Sequence, residues 1–374
     1  MRLLVFEFIT GGGLTDGPLA ASLLQEGYLM RNALLDDLLS IKDLELLVLQ
    51  DARLSIGAID TTIKIQYWNI AQGEDLDSVL SARQAEYDSV WLIAPETEGI
   101  LAYWCGFFSS QGKHLYTSAQ AAVEICQDKL ATIKLLQKAG IACVKSQFFD
   151  FSVSQPYQQS VIKVNNSVGC EQVYLLRSEQ DWQKVLPKLQ AGKSYIIQPY
   201  ISGKNLSLSC LFFQGAAYFI CCNLQHIRIE QQQFVLTACT VNIENKNMQK
   251  YQQLCQAIAE AIPGLSGYAG IDFIETETGE NLVLEINPRL TTSYAGIKQA
   301  LGINIAEWVI NLPTKPPEIL RTSAAAILDG SIGNCNLDLK SVAYEVPYPS
   351  KQNRCCTRNQ QVLIAIDQER ANAD

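Results

Sequence analysis

Residues 267–294, GYAGIDFIETETGENLVLEINPRLTTSY, read as a β-hairpin with acids set into apolar strands. An extended run at 269–275 places Asp272 among apolar neighbours. A Thr/Glu/Gly-rich turn at 276–281 follows, and a second run at 282–286 leads into Asn287 and Arg289. Successive side chains of a strand point to opposite faces, so Glu285, Asn287 and Arg289 share one face. Pairing across the turn sets Asp272 opposite them. Two carboxylates and an amide oxygen make a hard-oxygen set suited to Mg²⁺, with waters and phosphate oxygens completing its shell. Arg289 is placed to hold negative charge developing beside the metal. The plain alternative is a surface hairpin with solvated acids; against it, a carboxylate inside an apolar strand is costly unless paired or metal-bound.

The 374 residues are too many for a single core and predict two or three packed units. Hydrophobic residues at 48 % and charged ones at 18 % describe a globular chain. A net charge of −9 argues against nucleic acid as partner, while small anionic substrates stay open to local Lys and Arg clusters. The twelve cysteines include two adjacent pairs, Cys221–Cys222 and Cys355–Cys356, and form no CxxC. With only His114 and His226 beside them, a zinc site is disfavoured. Reduced cysteines used as small hydrophobes imply a reducing compartment. The start, MRLLVFEFITGGG, reaches Glu7 quickly and reads as a first strand rather than a signal peptide. No run of 18 apolar residues predicts a membrane span, and the expected location is cytoplasmic.

Along the chain, strands at 3–8, 44–50, 63–68 and 89–93 alternate with helical patterns, predicting a mostly parallel, doubly wound sheet. Gly11-Gly12-Gly13 lacks the GxGxxG spacing and reads as a strand-to-helix turn before an anion site. Glu96 and Glu98 follow the fourth strand. They stand where α/β sheets bind ligands, suited to a substrate amine, or serve as dipole-favoured acids at a helix start. A helical run at 118–139 carries Asp128-Lys129 in its middle, and Gly140 closes it. Lys163 lies inside an apolar strand at 160–164, where a lysine needs an anion or a partner. The small, polar loop 165–171 is suited to folding over phosphates. Strands at 206–213 and 216–224 pair around Gln214-Gly215, and a helix at 248–262 leads into the hairpin. A helix at 304–311 precedes a Pro-marked boundary, beyond which 318–374 contains strands but no readable motif.

In that order the motifs of 118–294 resemble those of the ATP-grasp superfamily of carboxylate–amine ligases. Lys129 looks like the first phosphate-binding lysine, and Lys163 with Gly169 and Cys170 like the second lysine and its glycine-rich flap. Gln198, Pro199, Tyr200 and Ile201 resemble the hinge that holds adenine, followed by Ser207 and Ser209, with Asn205 at the ribose position. Asp272, Glu285, Asn287 and Arg289 match the metal and acyl-phosphate site. Pro95–Gly99 and the N-terminal glycine loop are similar to the branch of tyramine–glutamate ligases in methanofuran and methylofuran synthesis. The chain departs from the pattern at Asn166-Ser167, usually Asp-Gly, and at Gln198 and Asn205, commonly acidic.

The resemblance implies an α/β (α+β) ATP-grasp fold behind a doubly wound pre-ATP-grasp domain at 1–117. The ATP-grasp subdomains would take 118–200 and 201–312, with an extension at 313–374. It implies ATP and Mg²⁺ (or Mn²⁺), with Asp272, Glu285 and Asn287 on the metal. Lys129, Lys163, Gly169, Gln198, Tyr200, Ile201 and Asn205 would lie on the nucleotide, and Arg289 and Lys163 in catalysis. An amide would form through an acyl phosphate, with glutamate plus an aromatic or furan amine as substrates, no membrane or nucleic-acid partner, and a homodimer compatible. His226 is a candidate for removing the amine's proton, although a lone histidine is more often structural. A ligase joining other amino acids, a catalytically silent nucleotide-binding regulator and a dinucleotide enzyme built on the glycine triplet remain the alternatives.

Overall fold

Strands buried on both faces read as unbroken apolar runs, and the first strand obeys this rule: Leu3, Leu4, Val5 and Phe6 are each fully buried. The computed structural model describes residues 1–15, 17–54, 65–151, 157–167, 172–244, 247–314, 355–358 and 361–366. Its N-terminal sheet holds five parallel strands: β1 (Arg2–Glu7), β2 (Glu45–Asp51), β3 (Ile65–Ile70), β4 (Ser89–Ile93) and β5 (His114–Leu115). They lie in the order β3-β2-β1-β4-β5. The order reverses between β1 and β4, so their carboxyl ends diverge around a crevice, the usual ligand position in open α/β sheets. Helices α1 (Ala21–Leu39), α2 (Leu76–Ala82) and α3 (Ile100–Ser110) cover the sheet.

The glycine triplet after β1 is a turn. The N–H groups of Gly11 and Gly13 donate to the carbonyls of Glu7 and Phe8, each at 2.8 Å, so they are spent inside the loop. A Cβ at Gly13 would lie 2.3 Å from the Phe8 ring, which gives the steric reason for glycine there.

The second sheet is largely antiparallel. Its first half holds β6 (Gln147–Phe148), β7 (Ser160–Val164), β8 (Tyr174–Leu176) and β9 (Tyr195–Pro199). The second half holds β10 (Gly203–Phe213), β11 (Ala216–Glu230), β12 (Gln233–Val241), β13 (Gly267–Thr276) and β14 (Asn281–Asn287). The order is β14-β13-β10-β11-β12-β8-β7-β9-β6, with β15 (Cys355–Arg358) on β16 (Gln361–Ala365) and β16 on β12. The C-terminal segment thus returns to the sheet. The helical run expected across 118–139 is two helices, α4 (Gln120–Gln127) and α5 (Lys129–Lys138). Asp128 breaks it because its carboxylate caps α5, accepting the Ala131 N–H at 2.8 Å. Helices α6 (Glu179–Val185) and α7 (Met248–Ala261) pack on the two halves. α7 buries Tyr251, Cys255 and Ile258 against Leu206, Leu208, Cys210, Ile271 and Phe273 of β10 and β13.

The two sheets are bound together through α1. Asp37 accepts from the Tyr294 hydroxyl at 2.6 Å and pairs with Lys298 at 3.2 Å, and Asn304 Nδ2 donates to the Asp37 carbonyl at 2.8 Å. Among the described residues eight cysteines are free thiols, all buried, as small hydrophobes would be. No helix among the described residues is long and apolar enough to cross a membrane.

Candidate active site

The hairpin β13–β14 brings the acids into register. Asp272 pairs with Glu285, and Gly270 with Asn287; a bulge after Asp272 re-aims the strand at the point where the acids meet. On the other side β13 pairs with β10 so that Ser207 lies opposite Asp272 and Asn205 opposite Ile274. One face of the sheet therefore carries Asn205, Ser207, Asp272, Glu285 and Asn287. The opposite face carries the apolar partners of α7.

The two lysines arrive from separate elements. Lys129 is the first residue of α5, and Lys163 lies on β7 across from Ile196. Both reach Glu285 Oε2, at 3.4 and 3.9 Å, from buried positions. Lys129 Nζ also donates to the carbonyl of Ser167. Asn165 ties the loop after β7 to the start of α5: its carbonyl accepts the Lys129 N–H at 3.2 Å and its Oδ1 the Leu130 N–H at 2.9 Å. Gly169 and Cys170, expected in the flap, lie outside the described residues.

The paired carboxylates titrate apart. Burial pushes the Asp272 carboxyl up to about 6, and the negative charge of Glu285 adds to it. Hydrogen bonds from Ser207, Gln225 and Asn287 pull the other way. The Asn287 bond, Nδ2 to Asp272 Oδ2, is 3.2 Å. Burial pushes Glu285 upward too, but Lys129 and Lys163 outweigh it and hold the carboxyl below its ordinary range. The cationic compensation falls on Glu285, while Asp272 is stabilised by hydrogen-bond donors. A buried carboxylate short of positive charge, opposite a second one and beside an amide oxygen, is a set that Mg²⁺ fits, with phosphate oxygens supplying the remaining ligands.

Arg289 is engaged away from the metal acids. Its Nε and Nη2 both bind Glu96 Oε2 at 2.9 Å, and Nη1 donates to the Leu290 carbonyl at 3.0 Å. Burial would lower its pKa, but the charges of Glu96, Glu26 and Glu285 raise it. Glu96 is thus no helix cap: it is buried in an ion pair with a residue 193 positions away. Glu98, by contrast, is exposed, with a left-handed φ of 55°.

The residues expected at the hinge lie at the end of β9 and the start of β10. Gln198 is buried on the face of Lys163, its Nε2 donating to Ser146 Oγ at 2.6 Å. The Tyr200 side chain is exposed, while its N–H donates to the Gln159 carbonyl at 2.9 Å. Ile201 and Asn205 are half-buried beyond it. His226 stands apart. Its Nε2 meets Thr240 Oγ1 at 2.7 Å, and its neighbour Gln225 is the one that turns to Asp272. Gln225 escaped the sequence reading, although the polar alternation Asn223, Gln225 along an otherwise apolar strand was a usable signal.

A family model for the ATP-grasp domain matches residues 126–293, and one for the pre ATP-grasp 3 domain matches residues 44–123. The chain carries an ATP-grasp domain behind a pre-ATP-grasp domain. This ATP-grasp chain is 26 % identical over 306 residues to a tyramine–L-glutamate ligase of Methanocaldococcus fervens, covering 79 % of this chain and 89 % of that protein. It is similar in structure to an ATP-grasp superfamily protein from Archaeoglobus fulgidus, at a TM-score of 0.63 and 19 % identity, over 83 % of this chain and 88 % of that one. An L-amino acid ligase from Bacillus licheniformis gives 0.62 and 13 %, over 86 % and 76 %. The domain and the ligase relatives together give the reaction class, ATP-dependent ligation forming C–N bonds.

Proposed function

We propose that this protein joins a carboxylic acid to a primary amine, spending ATP through an acyl phosphate and releasing ADP and phosphate. The observation that carries the reading is the convergence of Lys129 and Lys163, from two elements, on the Glu285 that faces Asp272. Such a constellation suits phosphoryl transfer, which needs positioning and charge neutralisation rather than a protein nucleophile. Mg²⁺ held by Asp272, Glu285 and Asn287 would neutralise the phosphates and polarise the γ-phosphoryl group.

The chain's own part follows from the geometry. Lys129 and Lys163 exchange Glu285 for phosphate oxygens when ATP enters, so the ion pairs seen here pre-set both ammonium groups near the nucleotide. A carboxylate oxygen of the acid attacks the γ-phosphorus and ADP leaves. The amine then attacks the acyl carbon, phosphate leaves with that oxygen, and the amine gives up its proton. The loop after β7, tied to α5 through Asn165 and to Lys129 through Ser167, can close over the intermediate and keep water out. Gln198, Tyr200, Ile201 and Asn205 would hold the adenosine, and Gly169 would cover its phosphates. The tyramine–L-glutamate ligase relative supports glutamate as the acid and an aromatic or furan amine as its partner. Incubation with Mg²⁺-ATP, L-glutamate and a panel of primary amines should give one new amide by mass spectrometry, with matching ADP. ADP with no amide from any amine would reject this substrate pair.

A further inference from the structure

A second charged site lies at the crevice between β1 and β4. Glu7 ends β1, and its carboxylate is saturated: it accepts the N–H groups of Ile9 and Thr10 at 3.2 and 2.7 Å and the Thr10 hydroxyl at 2.6 Å. Helix α1 runs directly against it, since a Cβ at Gly27 would lie 2.6 Å from Glu7 Oε2. Glu26, the preceding residue on α1, stands within the fields of both Arg289 and Glu7. It is half-buried, and its carboxylate has no hydrogen-bond or ion-pair partner among the described residues. Glu96 approaches from beyond β4. Its Oε2 takes both bonds from Arg289, while its Oε1 is buried without any hydrogen-bond partner, on a residue only 4 % exposed. The Arg289 Nη1 turns to the Leu290 carbonyl, and no Arg289 N–H reaches Glu96 Oε1.

Glu26 and Glu96 share one guanidinium, Arg289, which leaves negative charge and a buried acceptor unsatisfied. An ammonium, with three donors on a compact cation, supplies both. A metal ion is a poorer occupant, since no three acids among the described residues stand in chelating geometry.

We propose that Glu26 and Glu96 seat the ammonium of an amino-acid acyl donor, so that the acid activated by this enzyme carries a free amino group; this rests on the ligase reading given above. Carboxylates around an amine hold it protonated. That would silence an attacking amine, whereas the amino group of the acyl donor remains a charged spectator throughout. Arg289 sets the distance, because it grips Glu96 and sits two residues beyond the metal-side Asn287. The acid's ammonium and its reacting carboxylate are thereby held on either side of one guanidinium.

The test compares ADP release by wild type and Glu26→Gln with L-glutamate and with glutarate, which lacks the amino group, at saturating Mg²⁺-ATP and a fixed amine. Wild type should prefer L-glutamate in kcat/KM. Glu26→Gln should lower that preference at least tenfold, mainly through KM for glutamate. Binding of Mg²⁺-ADP, measured by calorimetry, should stay within twofold and so report an intact fold. An unchanged preference in a variant that binds Mg²⁺-ADP overturns the ammonium seat and leaves the ligase reading standing. A rise in KM for the amine instead of glutamate also overturns it, assigning the acids to the other substrate. No acid-dependent ADP release from wild type overturns the ligase reading, and the seat with it.

Discussion

Replacing Asp272 by Asn is expected to stabilise the metal-free protein at pH 8 while removing a metal ligand. The Asp272 carboxyl moves from 3.8 to about 6 on folding, first because it is buried and second because Glu285 faces it. Each unit is worth about 1.4 kcal/mol, so the ionised group costs the empty fold roughly 3 kcal/mol. A neutral amide keeps an acceptor for the Ser207, Gln225 and Asn287 donors but has its own desolvation cost, which leaves a net gain of roughly 1–3 kcal/mol. The sign follows from an acid whose folded value is raised. Its penalty is fully present above about 6, fades on acidification, and is absent below the unfolded value of 3.8. The gain should therefore be seen in urea midpoints at pH 8 in EDTA and vanish near pH 4. Adding Mg²⁺-ADP should reverse the order, since ligand at a hundredfold its Kd stabilises only the protein that binds it, by about 2.7 kcal/mol. A variant no more stable than wild type at pH 8 in EDTA would refute this reasoning, as would a gain equally large at pH 4.

Glu96→Ala strands the buried Arg289 guanidinium, and thermal or urea unfolding should show a loss of about 3–5 kcal/mol; a loss under 1 kcal/mol would mean that Arg289 finds another partner. Asp128→Ala removes the cap on α5, costing about 1 kcal/mol in the same assay. Because Lys129 is the next residue, its KM for ATP should rise severalfold; stability lost with KM unchanged would detach the cap from nucleotide binding.

The two sheets and the hairpin were legible because their signals are local. Alternation fixed β13 and β14, and buried aliphatic runs fixed β1, β2 and β4. The hairpin of β11 and β12 was not. The sequence signal for β11 ends near Leu224 and β12 has none, because Gln231 and Gln232 occupy the turn with φ of 47° and 70°. Those left-handed positions normally announce themselves as Gly, Asn or Asp, as Gly215 does in the preceding turn. The break at Asp128 was hidden because apolar periodicity continues through it, and only the cap bond distinguishes two helices from one. At the site, the types and order of Lys129, Lys163, Asp272, Glu285 and Asn287 could be read. The Arg289–Glu96 pair could not, since it spans 193 residues and depends on how α1 docks through Asp37 and Tyr294. Nor did sequence favour Gln225 over His226; the choice rests on which face of β11 each occupies.

The acyl phosphate is tested most directly by following oxygen. With Mg²⁺-ATP, an active amine and L-glutamate labelled with ¹⁸O in its carboxylates, wild type should release phosphate carrying one labelled oxygen, in step with amide. Glu285→Gln should release neither. Phosphate without label, formed at the same rate as the amide, would contradict the account, because the carboxylate would then never have bonded to the γ-phosphorus.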